Sequence, residues 1–82
     1  MNQKLIDRFQ QRPRDFTWNE LVRLLRGVGY RQAKPGRTGG SRRRFVHLLY
    51  PTIILHQPHP GNTLKMYQVD QVRDILEKEG LI

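Results

Sequence analysis

The feature that most restricts how this chain can fold is a capped amphipathic helix that begins near residue 17. Thr17 and Glu20 have the spacing of a capping box, in which the threonine hydroxyl accepts from the Glu20 N–H and the carboxylate accepts from the Thr17 N–H. Gly27 and Gly29 mark the end of this helix. The apolar residues between these signals recur at helical spacing: Trp18, Leu21, Val22, Leu25 and Val28. We therefore expect one face of the helix, including Trp18, to be buried.

A shorter helix is predicted before it and a longer one near the C-terminus. Leu5, Ile6 and Phe9 share one side of a helix over residues 2–11, which Pro13 must stop. Gly80 ends the last helix. Its apolar stripe consists of Met66, Val69, Val72, Ile75 and Leu76.

Three strands are predicted between the helices. Residues 30–34 form a short one, and residues 43–49 and 52–56 are rich in β-branched, aromatic and aliphatic side chains. Tyr50 and Pro51 separate the last two segments, which indicates a hairpin. The order is α-α-β-β-β-α, with helices on one face of a three-stranded meander. This is a two-layer α+β fold, and the length of the chain suits a single domain over residues 1–82.

The composition of the chain indicates the cellular compartment in which the protein functions. The chain has no cysteine, so neither a disulfide nor a Cys-based zinc site can supplement the small core. The first residues lack the continuous apolar region of a signal peptide, and the longest apolar run, Ile53-Ile54-Leu55, is far shorter than the ~20 residues that span a bilayer. We expect a cytoplasmic protein with no membrane partner and no cofactor.

The distribution of charge points to a polyanion. The net charge is +8, and residues 21–69 form a long stretch that is rich in basic residues and has no acidic one. An ordinary solvated surface mixes the two signs, whereas a face that binds nucleic acid does not. The basic residues of the stretch are Arg23, Arg26, Arg31, Lys34, Arg37, Arg42, Arg43, Arg44 and Lys65.

The stretch Gly39-Gly40-Ser41-Arg42-Arg43-Arg44-Phe45 is the first candidate site. Glycines let the backbone approach a phosphate, and arginine offers a planar fork that matches phosphate oxygens. Strand alternation sends Arg42 and Arg44 to one face and Arg43 to the other. With Arg37 and Lys65, these residues form the predicted RNA-binding set; the alternative is a flexible loop followed by solvated charges.

The second candidate site is the turn that contains His56 and His59. Two imidazoles can act as acid and base, or one of them can simply cap a crossover braced by prolines. Only His47 offers a third ligand, so no metal site is expected. Because residues 21–69 hold no carboxylate for a two-metal centre, any phosphodiester cleavage needs the 2′-hydroxyl of RNA as nucleophile. Among the aromatic residues, Tyr50 is predicted to be an exposed ring that can stack on bases.

Four segments in this order resemble the HicA toxins of type II toxin–antitoxin systems. They are residues 20–30, the stretch Gly40-Ser41-Arg42-Arg43-Arg44-Phe45, the turn His59-Pro60-Gly61, and residues 75–81. The resemblance spans residues 17–82 and leaves residues 1–14 as an added N-terminal helix. It implies a small mRNA interferase with a fold like that of double-stranded-RNA-binding domains, and a HicB-type antitoxin as partner.

The resemblance also shows where this chain departs from the family. HicA toxins usually carry a catalytic histidine one or two positions after the serine, where this chain has Arg42 and Arg43. Arginine, with a pKa above ~12, cannot serve as a general base. Either His59, which matches the family's His-Pro-Gly, or His56 takes the role beside Ser41, or the chain binds RNA without cutting it.

Two other classes of function remain open at this point. One is a catalytically inert nucleic-acid module, either a double-stranded-RNA binder or a winged-helix DNA binder with the three arginines on its wing. The other is a domain that only binds proteins, since an acidic partner also suits the basic stretch.

Overall fold

The computed structural model describes residues 2–34 and 40–82, and in them it has three helices and a three-stranded sheet. This arrangement confirms the predicted α+β fold, with α-β-β-β-α preceded by one more helix. The predicted likeness to double-stranded-RNA-binding domains rests only on the sequence resemblance described above and stays a prediction. The elements are α1 (Gln3–Gln10), α2 (Trp18–Gly27), β1 (Arg31–Gln32), β2 (Arg42–Val46), β3 (Ile53–His56) and α3 (Met66–Lys78).

The sheet is an antiparallel meander in the order β1-β2-β3. Phe45 lies opposite Ile53 on the face that packs against the helices. Arg44 pairs with Ile54 and Arg42 with His56, and all four are exposed on the other face, which we call the open face.

The hydrophobic core fills the space between the sheet and the helices. Phe45, Ile53 and Leu55 contribute from the sheet, and Trp18 packs on Phe45 with ring centroids 5.5 Å apart. The predicted burial of Trp18 is confirmed, since only 4% of it is exposed. The helices contribute Leu5, Ile6, Phe9, Leu21, Leu24, Leu25, Val69, Val72 and Leu76 to the core, and the connecting segments contribute Phe16, Val28, Tyr30 and Leu64.

The capping box of α2 is present as the sequence predicted. The Glu20 N–H donates to Thr17 Oγ1 at 3.2 Å, and the Thr17 N–H donates to Glu20 Oε1 at 3.0 Å. Arg8 of α1 donates to the same carboxylate at 3.1 and 3.2 Å. Hydrogen bonds from Arg8 hold the pKa of Glu20 below its ordinary value. The cap therefore also fastens α1 to α2.

The strand ends differ from the prediction because of His47. Its Nδ1 accepts from the Leu49 N–H at 3.0 Å, and its Nε2 donates to the Val28 carbonyl at 3.1 Å. This double contact holds the chain after Val46 in a loop, so β2 ends there rather than at residue 49. Strand β1 is two residues long rather than five.

The prediction that Tyr50 is an exposed ring is wrong. Tyr50 is half-buried, because its ring packs edge-on against His47 with centroids 4.6 Å apart and also contacts the core. Tyr67 is the most exposed tyrosine, with 60% of its surface exposed. Within the described residues, every helix is too short or too polar to cross a membrane.

Candidate active site

A depression opens at the end of the hairpin where β2 begins and β3 ends. Its volume is about 350 Å³, and we call it the histidine depression. A second depression of about 420 Å³ adjoins it and shares Ser41, Gln57 and His59 with it. The polar side chains that line the histidine depression are Ser41, His56, Gln57, His59, Thr63, Lys65, Tyr67 and Gln68.

Ser41 and His56 are in contact at this place. Ser41 Oγ lies 3.1 Å from His56 Nδ1, and the Ser41 carbonyl accepts from the Gln57 N–H at 2.7 Å. The backbone bond continues the ladder of the hairpin beyond its last pair, Arg42 and His56. The sheet thus holds the serine against the imidazole.

Gln68 joins the end of β3 to the start of α3. It is 3% exposed; its Oε1 accepts from the Lys65 N–H at 3.0 Å and its Nε2 donates to the His56 carbonyl at 2.8 Å. These bonds place Lys65 and Tyr67 beside the two histidines. The sequence analysis missed Gln68, because the cap three residues before it is Lys65 and not one of the small polar residues that mark a capping box in a sequence.

The turn that carries His59 is tied to the start of α2. The Trp18 N–H donates to the Asn62 carbonyl at 2.7 Å, and the Leu64 N–H donates to the Phe16 carbonyl at 2.8 Å. Gly61 has φ +83°, a conformation that glycine adopts without strain. His59 itself is exposed and lines both depressions. The turn is therefore anchored on its C-terminal side while the imidazole faces solvent.

The arginines of β2 separate as alternation predicted. Arg42 and Arg44 lie exposed on the open face, whereas Arg43 lines the second depression with Ser41 and His59. One Arg43 nitrogen donates to the carbonyls of Gly40 at 2.6 Å and Arg42 at 3.0 Å. Neither Arg42 nor Arg44 lines the histidine depression.

The remaining residues considered for a site lie apart from the two depressions or outside the described residues, except Gly40, which lines the second depression. Gly40 lies in the turn before β2 and has φ +55°. Arg37 and Gly39 lie outside the described residues. His47 is at the opposite end of β2 from His56, and nowhere in residues 2–34 and 40–82 do three His, Asp or Glu side chains come together as metal ligands would.

A family model described as the HicA toxin of bacterial toxin–antitoxin matches residues 18–81. The chain belongs to the HicA toxin family. No curated protein and no solved structure matches it.

Family membership makes this HicA chain a toxin of the toxin–antitoxin type. The match begins with α2 and runs almost to the C-terminus, so it includes every residue of the histidine depression. Helix α1 lies outside the match, although Leu5, Ile6 and Phe9 are buried in the same core as α2 and α3.

Proposed function

We propose that this HicA-family toxin binds mRNA and cleaves it as a metal-independent endoribonuclease. The observation that supports this best is that Ser41, His56 and His59 line one depression with Lys65 beside them. Two imidazoles and a cation are the groups that RNA transesterification needs. Since mRNA is the proposed substrate, the proposed place of action is the cytoplasm.

The proposed reaction uses the RNA's own 2′-hydroxyl. One histidine removes the 2′-proton while the 2′-oxygen attacks the adjacent phosphorus. The second histidine gives a proton to the 5′-oxygen as the P–O bond to it breaks. The products are a 2′,3′-cyclic phosphate and a free 5′-hydroxyl, so atoms and protons balance without a metal ion.

His56 and His59 suit these two roles for different reasons. Arg42 stands where the family usually has a histidine, and its cross-strand partner is His56. Directly opposed side chains have Cβ atoms about 4.5–5.5 Å apart, so His56 is a near neighbour of the position that the family uses. His59 carries the family's His-Pro-Gly and faces solvent from the same depression.

Ser41, Arg43 and Lys65 are the proposed ligands of the scissile phosphate. Arg43 lines the depression that contains Ser41 and His59, and Lys65 lines the one that contains both histidines. A positive charge near the non-bridging oxygens stabilises the extra negative charge of the pentavalent phosphorane. Arg42 and Arg44, exposed on the open face, bind neighbouring phosphates in this proposal, and Arg37 and the Gly39-Gly40 backbone complete the set.

The proposed protein partner is an antitoxin of the HicB type. Arg31, Arg42 and Arg44 are exposed on the sheet, and residues 21–69 contain no acidic side chain that offsets them. An acidic segment of the antitoxin would neutralise this surface and exclude RNA at the same time.

A second candidate function is RNA or DNA binding without cleavage. The observation that favours it is the absence of a histidine directly after Ser41, where Arg42 and Arg43 follow instead. Arginine binds phosphate well and accepts no proton, so the same surface would hold a nucleic acid intact.

Incubation of the purified protein with end-labelled RNA in excess EDTA separates the two candidates. The nuclease proposal predicts fragments with cyclic phosphate ends at an undiminished rate. Intact RNA that is nevertheless retained by the protein would establish the inert binder instead.

A further inference from the structure

The exposed tyrosine is unusual among the aromatic side chains of this protein. The chain has seven aromatic residues, and six of them are buried or packed against the core. Only Tyr67 leaves most of its surface in water, at 60% exposed. In the part of the chain that the structure describes, no other ring pairs with it.

The position of Tyr67 connects it to the proposed cleavage site. It is the second residue of α3, and its side chain lines the histidine depression together with Ser41, His56 and Lys65. Gln68, the next residue, is fixed by its bonds to Lys65 and His56. The start of the helix therefore cannot shift away from the histidines without breaking a buried hydrogen bond.

The chemistry of this surface matches a nucleotide rather than a phosphate alone. Lys65 and Arg43 supply charge for the phosphate, and the Tyr67 ring, 60% exposed, supplies an apolar plane in the same depression as Lys65. Aromatic rings beside cationic grooves bind nucleobases by stacking, with little preference for sequence.

We propose that Tyr67 forms a base-binding subsite that takes one unpaired nucleobase next to the scissile phosphate. This inference rests on the proposed function and deepens it, because it assigns the substrate to single-stranded RNA. A base within a duplex already stacks on its neighbours, so it offers no free face to the tyrosine.

The test compares binding of a single-stranded oligonucleotide, 2′-O-methylated throughout so that it is not cleaved, with that of the same strand in a duplex. Tyr67→Leu keeps an apolar side chain and removes the ring, whereas Tyr67→Phe keeps the ring. We expect Tyr67→Leu to weaken single-strand binding by about 5- to 100-fold and Tyr67→Phe to leave it within about 2-fold. Neither variant should alter duplex binding or the salt dependence, since both keep every cationic side chain that binds phosphate.

A second arm of the test alters the strand. Abasic positions are placed one at a time along the strand, and one of them should reduce affinity for the natural protein by the same factor as the loss of the ring. That abasic strand should bind Tyr67→Leu no worse than the intact strand does, because the stacking partner is already gone.

The outcomes separate the subsite from the function as a whole. Equal binding of single strand by Tyr67→Leu and the natural protein overturns the subsite and leaves the RNA-binding proposal in place. An equal loss in Tyr67→Phe and Tyr67→Leu overturns it too, since the hydroxyl would then be responsible. Absence of any RNA binding by the natural protein overturns both.

Discussion

Ser41 Oγ lies 3.1 Å from Nδ1 of His56 at the point where the β2–β3 hairpin opens toward the last helix. Because Nδ1 is engaged with the serine, Nε2 is the nitrogen of His56 that remains to exchange a proton with substrate. In the proposed reaction Ser41 is therefore both a phosphate ligand and the residue that orients an imidazole.

His59→Gln should lower RNA cleavage by about 10²–10⁴-fold, the size of a lost acid–base group. RNA affinity should stay nearly unchanged, because glutamine keeps the polarity and removes only the proton transfer. Cleavage rate and equilibrium binding are measured on the same labelled RNA, with His56→Gln as the companion variant.

The companion variant makes the result specific. If both histidines act, each substitution slows cleavage and neither shifts the thermal midpoint, since both side chains are exposed. Full activity of His59→Gln beside an inactive His56→Gln would assign the chemistry to His56 alone and contradict the pair.

Replacing Arg42 and Arg43 together by alanine should weaken RNA binding by more than about 2 kcal/mol. The slope of log affinity against log salt should become shallower by about 0.7 for each phosphate of single-stranded RNA that the variant no longer neutralises. The matched control removes two exposed arginines of α2, Arg23 and Arg26, which changes the net charge equally. An equal drop in affinity in the control would show that overall charge, not this strand, binds RNA.

Gly29→Ala should destabilise the fold by about 1–3 kcal/mol. Gly29 has φ +101°, and a Cβ there would overlap the His47 ring that joins α2 to the β2–β3 loop. Gly27→Ala is the matched control, because its Cβ would meet nothing nearer than 3.9 Å. At the end of α2 the added methyl should be neutral or stabilising by up to about 1 kcal/mol. Urea denaturation measures both, and equal effects would refute the steric argument.

Glu20→Gln tests the ion pair that fastens α1 to α2. Hydrogen bonds from Arg8 lower the pKa of Glu20 in the folded state, so its stabilisation is complete above the unfolded-state pKa and is lost as the pH falls through the folded-state pKa. At pH 7 the variant should lose about 0.5–1 kcal/mol of unfolding free energy, since Arg8 is partly exposed. The difference should shrink as the pH falls through the folded-state pKa of Glu20; a difference that does not change with pH would mean that charge is not its cause.

The parts of this fold that were predictable from sequence depend on neighbours along the chain. The Thr17–Glu20 box and the alternation of Arg42, Arg43 and Arg44 involve bonds or directions set within four residues. Both are present in the structure.

The parts that were not predictable depend on partners from distant elements. The early end of β2 comes from the contact of His47 with the Val28 carbonyl, and the burial of Tyr50 comes from the same imidazole. Leu48 and Leu49 have strand-forming composition but lie in the loop, 99% and 81% exposed. Strand propensity reflects the apolar character of these leucines. It carries no information about the hydrogen bond from the neighbouring His47 to Val28, a residue about twenty positions earlier.

The meeting of Ser41, His56 and His59 was predictable only in outline. The predicted hairpin joins residues 43–49 to residues 52–56, and the open ends of a hairpin lie side by side, which brings the Gly-Ser turn near the histidine turn. The sequence did not reveal that Gln68 fastens α3 to the same edge and brings Tyr67 with it. A buried glutamine has no periodic signature, so its role becomes visible only when its partners are in place.

The most direct test of the central claim is a comparison of RNA with a strand that carries one 2′-deoxynucleotide at the cleaved position, both in excess EDTA. If the 2′-hydroxyl is the nucleophile, the all-ribose strand is cut to a 2′,3′-cyclic phosphate end and the substituted strand stays whole at that position while binding with similar affinity. Cleavage of the 2′-deoxy position, or 3′-hydroxyl ends on the products, would contradict the account.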